Sequence, residues 1–260
     1  MTAPHFEPAS HVLKIEEAAR AGGWTMRYLS PTPVSTRPWL QRPARNSAPG
    51  REAPRFYLSA GIHGDEIAGP LAVLEMLRIP DFFDRVDATL FPILNPEGLF
   101  RAVRTNFNGV DLNRDYKSSK SSEIRSHLKV LPTLGPFNIA MMLHEDYEGT
   151  GAYLYELNDG PMAGLGQRII AAMRKHVPID ERPIIEEVSA AGGILQRAEL
   201  IRKMGPIENR QEWPEAIYLS VHHTKVSYTT ETPMLQPLEH RIAAQIEAVR
   251  TVIGALISMP

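Results

Sequence analysis

Phe56-Tyr57-Leu58-Ser59-Ala60-Gly61-Ile62-His63-Gly64-Asp65-Glu66 is the stretch whose reading decides the fold. Its first five residues are a short apolar run closed by glycine, which suits a buried strand. From Glu66 to Arg78 the apolar residues Ile67, Leu71, Leu74 and Leu77 recur at helical spacing. A strand therefore feeds a helix through a turn in which Gly61 lets the backbone reverse sharply and Gly64 leaves room beside the His63 imidazole. Glu66 is expected in the first helical turn, where the helix dipole favours negative charge. His63 and Glu66 are the only H-x-x-E of the chain. Alone, the pair reads most simply as a turn histidine beside a helix-end carboxylate.

The same strand-and-helix grammar continues outward. Asp87 to Leu94 is a predicted strand closed by Asn95-Pro96-Glu97-Gly98, and Phe137 to Leu143, Ala152 to Leu157 and Val226 to Glu231 are further strands. Met162 to His176 reads as a helix, and Leu238 to Ile257 carries the stripe Ile242, Ile246, Val249, Ile253 and Leu256 of a closing amphipathic helix. The Pro-, Arg- and Ser-rich stretch from Pro31 to Pro54 has no periodicity and is expected to be a surface loop. Strands separated by helical crossovers imply an α/β fold: a mixed, mostly parallel central sheet with helices on both faces. In such sheets the ligand crevice lies outside the carboxyl ends of the strands. His63, Asn113, His144 and Glu231 are all expected at, or just after, such an end.

Bulk properties exclude several classes. The 260 residues suit one large α/β domain, and 43% hydrophobic residues suffice for a substantial core. A net charge of −2 offers no field for nucleic acid or an acidic membrane surface. The absence of cysteine excludes disulfides and a thiolate metal site. Neither a secretory leader nor an apolar run of membrane-spanning length is present, so a soluble cytoplasmic protein is expected. Oligomeric state stays open.

His144 changes the reading of His63 and Glu66. It closes the apolar run Ile139-Ala140-Met141-Met142-Leu143, so an imidazole stands at a strand end. Two histidines and one glutamate are a three-ligand set for zinc, one ion per chain, which in catalytic sites keeps its fourth position for water. Asp111 is equally a partner fixing the tautomer of a ligand imidazole or a turn-forming residue after Gly109. His222 and His223 are adjacent and are read as surface or loop residues. His5, His11, His127 and His240 have no partner pattern.

The order H-x-x-E at His63 to Glu66, N-P-x-G at Asn95 to Gly98, Arg104 ahead of G-V-D-L-N-R at Gly109 to Arg114, then His144 and a late Glu231, resembles the zinc carboxypeptidases of the carboxypeptidase A family. It is closest in style to small bacterial members such as murein peptide amidases. The resemblance spans most of the chain from residue 56 onward and implies a single catalytic domain over 1–260. It implies that His63, Glu66 and His144 bind zinc, and that Arg104 polarises the scissile carbonyl. Asn113 and Arg114 would hold a terminal carboxylate, and Glu231 would act as general base. The implied activity is hydrolysis of a peptide or amide bond next to a free carboxylate, on a small peptide or amino-acid conjugate. The family's mobile tyrosine finds a counterpart only in Tyr218, on a shortened loop.

The nearest rival is an N-acyl amino acid deacylase of the aspartoacylase/succinylglutamate desuccinylase type, whose members share H-G-x-E, an Arg and D-L-N-R. Their third ligand usually follows Asp-Leu, whereas His144 follows Met142-Leu143, and their C-terminal β-domain has no room after Glu231. A non-catalytic zinc-bearing module would need neither Arg104 nor Glu231. The side-chain pocket is expected among loops including Ser189 to Glu212, with Glu186, Glu187, Arg197, Glu199, Arg202 and Lys203 as candidates of both charges.

Overall fold

The computed structural model describes residues 6–32, 35–46, 50, 52–158, 162–196 and 206–258. Ten strands form one sheet: β1 (Thr25–Thr32), β2 (Ser35–Arg42), β3 (Arg55–Ala60), β4 (Asp87–Phe91), β5 (Ile139–Asp146), β6 (Tyr153–Asn158), β7 (Ile184–Ile185), β8 (Val188–Ala191), β9 (Ile194–Gln196) and β10 (Val226–Pro233). Their spatial order is β1-β2-β4-β3-β5-β10-β6-β9-β8-β7. The expected mixed sheet forms, with its parallel pairing concentrated in the centre. β4, β3, β5 and β10 run parallel to one another, whereas β1–β2, β2–β4, β10–β6 and the β7–β8–β9 ribbon pair antiparallel.

Helices cover both faces, because the central strands are apolar on both. Phe56, Leu58, Ile139, Met141 and Leu143 point into one core with α1 (Pro8–Ala21), α2 (Ala68–Arg78), α5 (Leu165–Met173) and the last helix, Leu238–Ile257. Tyr57, Ala140 and Met142 point into the other, with α4 (Ser122–Val130) and α6 (Glu215–His222) packed against it, while α3 (Pro96–Arg101) puts Leu99 into the first. The last helix, α7, has the bounds expected from its apolar stripe.

Two regions depart from the sequence reading. Pro31 to Pro54 is not simply a loop, since β2 lies within it and β1 ends there. Their alternation is hidden because buried positions hold arginines. Arg37 donates to Ser30 O, Glu123 O and Ser126 Oγ, and Arg42 to Asp84 Oδ1 at 2.6 Å. Paired in this way, buried guanidinium groups avoid most of the cost of losing water. Within the stretch Ser189 to Glu212 the structure places most of β8 and all of β9, then a 3₁₀ turn at Ile207–Asn209. Arg197, Glu199, Arg202 and Lys203 lie outside the described residues.

Candidate active site

The turn after β3 is built as its glycines require. Gly61 has φ +64°, a left-handed conformation that costs a side chain but not glycine. A Cβ on Gly64 would run into the main chain of Gly98, so the two glycines let the His63 turn and α3 lie backbone against backbone. Asn95 locks the contact. Its Oδ1 accepts from Gly98 N at 3.0 Å as the cap of α3, and its Nδ2 donates to Ile62 O at 3.2 Å. The N-P-x-G segment is thus a bracket for the histidine turn. Glu66 precedes α2, which starts at Ala68, instead of standing in its first turn. The carboxylate that meets the helix start is Glu145, whose Oε2 accepts from Ala68 N at 2.7 Å. Arg241 of α7 donates to the other oxygen of Glu145, and Gln245 Nε2 donates to His144 O at 2.8 Å. The strand carrying His144 is therefore fixed to α2 and α7.

His63, Glu66 and His144 meet in space, each buried. One ligand atom from each lies within 4.8 Å of the others, a cluster that fits one metal ion. His63 Nδ1 is 2.5 Å from Glu66 Oε1, and His144 Nδ1 is 2.9 Å from Glu66 Oε2. Glu66 Oε2 is nevertheless buried without a hydrogen bond of acceptable geometry. A buried carboxylate with one imidazole nitrogen against each oxygen, and one of those oxygens orphaned, is what a cation would satisfy. Electrostatics agrees. Burial would lower the His63 pKa, but the Glu66 charge and the bonds to Asp111 and Glu66 reverse this and lift it to about 9. Burial would raise Glu66, but His63 and His144 hold it well below the usual carboxylate range. The carboxylate calls for positive charge, and protonated imidazole stands in for it.

Asp111 takes both roles the sequence left open. Its Oδ1 lies 3.2 Å from His63 Nε2 and accepts from Asn113 N at 2.9 Å, which caps the 3₁₀ turn Leu112–Arg114. Its Oδ2 accepts from Arg104 Nε at 3.0 Å, leaving Arg104 Nη1 3.8 Å from Glu66 Oε1. One carboxylate thus orients the imidazole, the guanidinium and the turn. Asn113 does not follow a strand as expected; this turn carries it. Its Oδ1 accepts from Glu215 N at 2.9 Å at the start of α6, and the residue lines the cleft. Arg114 donates to Asn113 O at 3.0 Å and lies 3.9 Å from Glu212 across the cleft.

Glu231 of β10 is registered against His144 of β5 and Tyr153 of β6. Burial, reinforced by Glu66 and Asp146, raises its pKa against the opposing pull of His144. All seven residues singled out from the sequence line one cleft of about 520 Å³, within the range of small-ligand sites.

Tyr218 does not. It lies on α6, half-buried, 5.7 Å from the ring of Tyr116, and packs with the second core. Two tyrosines unmarked by sequence reasoning, Tyr153 and Tyr155, line the cleft beside Glu231. Their alternation in Tyr153-Leu154-Tyr155 on a strand was the available signal. His222 and His223, read as surface or loop residues, end and cap α6, and His223 is buried. His127 is also buried, between the hydroxyls of Tyr57 and Tyr116, away from the cleft.

The fold is carboxypeptidase-like, and the His-Glu-His cluster could hold a metal ion. Residues 52–153 match the family described as the succinylglutamate desuccinylase/aspartoacylase catalytic domain. Over 122 residues the chain is 29% identical to the protein named probable carboxypeptidase 2 of Arthroderma benhamiae, covering 42% of this chain and 22% of that protein. It therefore spans under a quarter of that curated relative. Among solved structures, a metallopeptidase candidate from Shewanella amazonensis SB2B superposes with a TM-score of 0.79 at 24% identity, over 95% of this chain and 92% of that one. A metallo-carboxypeptidase from Burkholderia cenocepacia gives 0.67 at 15% identity, over 95% and 68%. At such identities the likeness is one of fold.

Proposed function

We propose that this chain is a zinc-dependent hydrolase that cleaves a peptide or amide bond next to a free carboxylate. The observation that carries the reading is the convergence of a buried His-Glu-His cluster, a carboxylate on the adjoining strand and an Asn-Arg pair in one cleft. His63, Glu66 and His144 would hold the ion, one per chain. Zinc supplies Lewis acidity and lowers the pKa of bound water.

The chain's own groups do the rest. Glu231 takes a proton from the attacking water and returns it to the leaving amine. Arg104, held through Nε by Asp111, turns its Nη groups toward the cleft as donors for the developing oxyanion. Arg114 and the Asn113 amide hold the substrate carboxylate, a planar fork being suited to that partner. The Pseudomonas aeruginosa metallo-carboxypeptidase is solved with (2-guanidinoethylmercapto)succinic acid, and a small carboxylate ligand of that kind suits the Asn113–Arg114 side of this cleft.

The match over residues 52–153 favours a second reading, an N-acyl amino acid deacylase. Both reactions release an amino acid with a free carboxylate. They differ in the acyl side, so dipeptides against N-succinyl and N-acetyl amino acids separate them. The common core of the proposal is tested by amidating the substrate. Free-acid conjugates should be cleaved at least about tenfold faster than their amides, the value of one charge-assisted bond. Arg114→Ala should erase most of that ratio with zinc content unchanged. Equal rates on acid and amide would remove the carboxylate-directed reading.

A further inference from the structure

The β7–β8 connection is a two-residue hairpin turn, since Ile185 pairs with Val188. Its central residues, Glu186 and Glu187, have φ of +50° and +58°. Such a turn favours Asn-Gly, and two glutamates in left-handed conformation are a costly choice. Glu186 nevertheless lines the cleft, where its carboxylate has no hydrogen-bond or ion-pair partner among the described residues. Its charge, with those of Glu231 and Asp146, bears on Tyr153, while Arg114 bears on the neighbouring Tyr155.

The floor beneath is the row Met142, Thr229 and Tyr155, opposite one another on β5, β10 and β6. Thr229 is 7% exposed, lines the cleft, and its hydroxyl has no hydrogen-bond partner among the described residues. An unpaired buried hydroxyl on a residue of the cleft wall points to a ligand group that completes it. Met142, Ile217 and Val188 add apolar surface suited to a methylene stem. Apolar stem surface, hydroxyl and unpaired carboxylate share the cleft with the Asn113–Arg114 turn and together describe one side chain.

Resting on the proposed function, we propose that the carboxylate-bearing residue of the substrate has a long cationic side chain, with Glu186 as counter-ion to its ammonium or guanidinium and Thr229 as a hydrogen-bond partner along its path. Glu186 is then the specificity-determining residue of the cleft.

The test uses the zinc-loaded full chain and N-benzoylglycyl conjugates of lysine, arginine, norleucine and glutamate. Norleucine keeps the stem and removes the charge. The kcat/KM ratio of lysine to norleucine should be about tenfold in the unmodified enzyme and near unity in Glu186→Gln. Glu186→Lys should shift preference toward glutamate. Thr229→Val should reduce the lysine ratio while holding or raising Tm, because it removes an unpaired buried hydroxyl. If no conjugate is hydrolysed, the proposed function is what has failed. Binding of free lysine against norleucine, measured by calorimetry on the same variants, then reads Glu186 directly and should show the same ratios. Equal handling of lysine and norleucine in whichever readout applies overturns the proposal, as does a ratio that charge inversion at Glu186 leaves unmoved.

Discussion

Asp111 touches three parts of the cleft at once, so its replacement by asparagine separates them. Asp111→Asn retains an Oδ1 able to meet His63 Nε2 and Asn113 N, at 3.2 and 2.9 Å in the parent. The change replaces Oδ2, the acceptor of Arg104 Nε at 3.0 Å, with an NH₂ that confronts another donor. The His63 contact falls from charge-assisted to neutral, roughly halving its strength. Outer partners of ligand histidines are worth about 10–100-fold in metal affinity, and loss of charge alone should give the lower end, about tenfold. Arg104's side chain is 44% exposed, so solvent screens its bond, and about 1–1.5 kcal/mol is a fair share. At saturating zinc that leaves a deficit of about tenfold in kcat/KM. The assay is zinc titration against a competing chelator, followed by kinetics at saturating metal. Asp111→Ala should lose more on both measures. Zinc affinity and kcat/KM within twofold of the parent in Asp111→Asn would refute the orienting role.

Three more outcomes follow from geometry away from the reaction. Gly64→Ala should lose zinc and about 3 kcal/mol or more of stability, because its methyl meets the Gly98 main chain and neither backbone can yield without moving His63; a variant with parental Tm and full zinc would contradict this. Burial, chiefly, with Arg37 and His223 adding to it, lowers the His127 pKa to about 3, so the unfolded chain binds the extra proton as pH falls below 6.5. Stability is present above 6.5 and lost below it, by up to about 1.4 kcal/mol per pH unit. His127→Gln should flatten the urea-unfolding free energy between pH 6.5 and 4 by that one proton, and an unchanged slope would show that the imidazole is not buried neutral. Glu187→Gly should raise stability by about 1 kcal/mol, since only glycine is at ease at φ +58°; a lower Tm would mean the Glu187 side chain outweighs its backbone strain.

The central sheet was legible because β3, β4 and β5 are buried on both faces and therefore read as apolar runs. α7 was legible because one face of it is apolar. The His63–Glu66–His144 cluster was legible because polar residues that end or follow apolar runs have few structural reasons to be there. What failed did so for physical reasons. β2 buries arginines whose partners, Ser30 and Ser126 among them, lie elsewhere in the sequence, so its burial left no hydrophobic trace. Asn113 sits on a turn held by Asp111 and by the start of α6, a tertiary arrangement that no local pattern encodes. Tyr218 was judged by its neighbourhood in sequence, whereas the helix it belongs to turns it into the core. Glu186 was one of six charged residues with no ranking among them; its place in the cleft wall, which Glu187 of the same turn does not share, singles it out.

The position of β10 has a consequence for how the molecule comes into being. This strand lies in the middle of the sheet, between β5 and β6, yet nine strands precede it along the chain. A nascent polypeptide that has emerged only as far as α6 holds two half-sheets with an open slot between them. Each half exposes an unpaired edge of the kind that invites wrong pairing. Insertion of Val226–Pro233 closes the slot, delivers Glu231 and brings Thr230 and Thr232 against Gln245 of α7. The cleft is therefore completed by late-made residues reaching back across most of the sequence, an arrangement of high contact order that favours slow, all-or-none folding. A growing chain would carry His63 and His144 for the whole of that interval without the carboxylate proposed to complete the site.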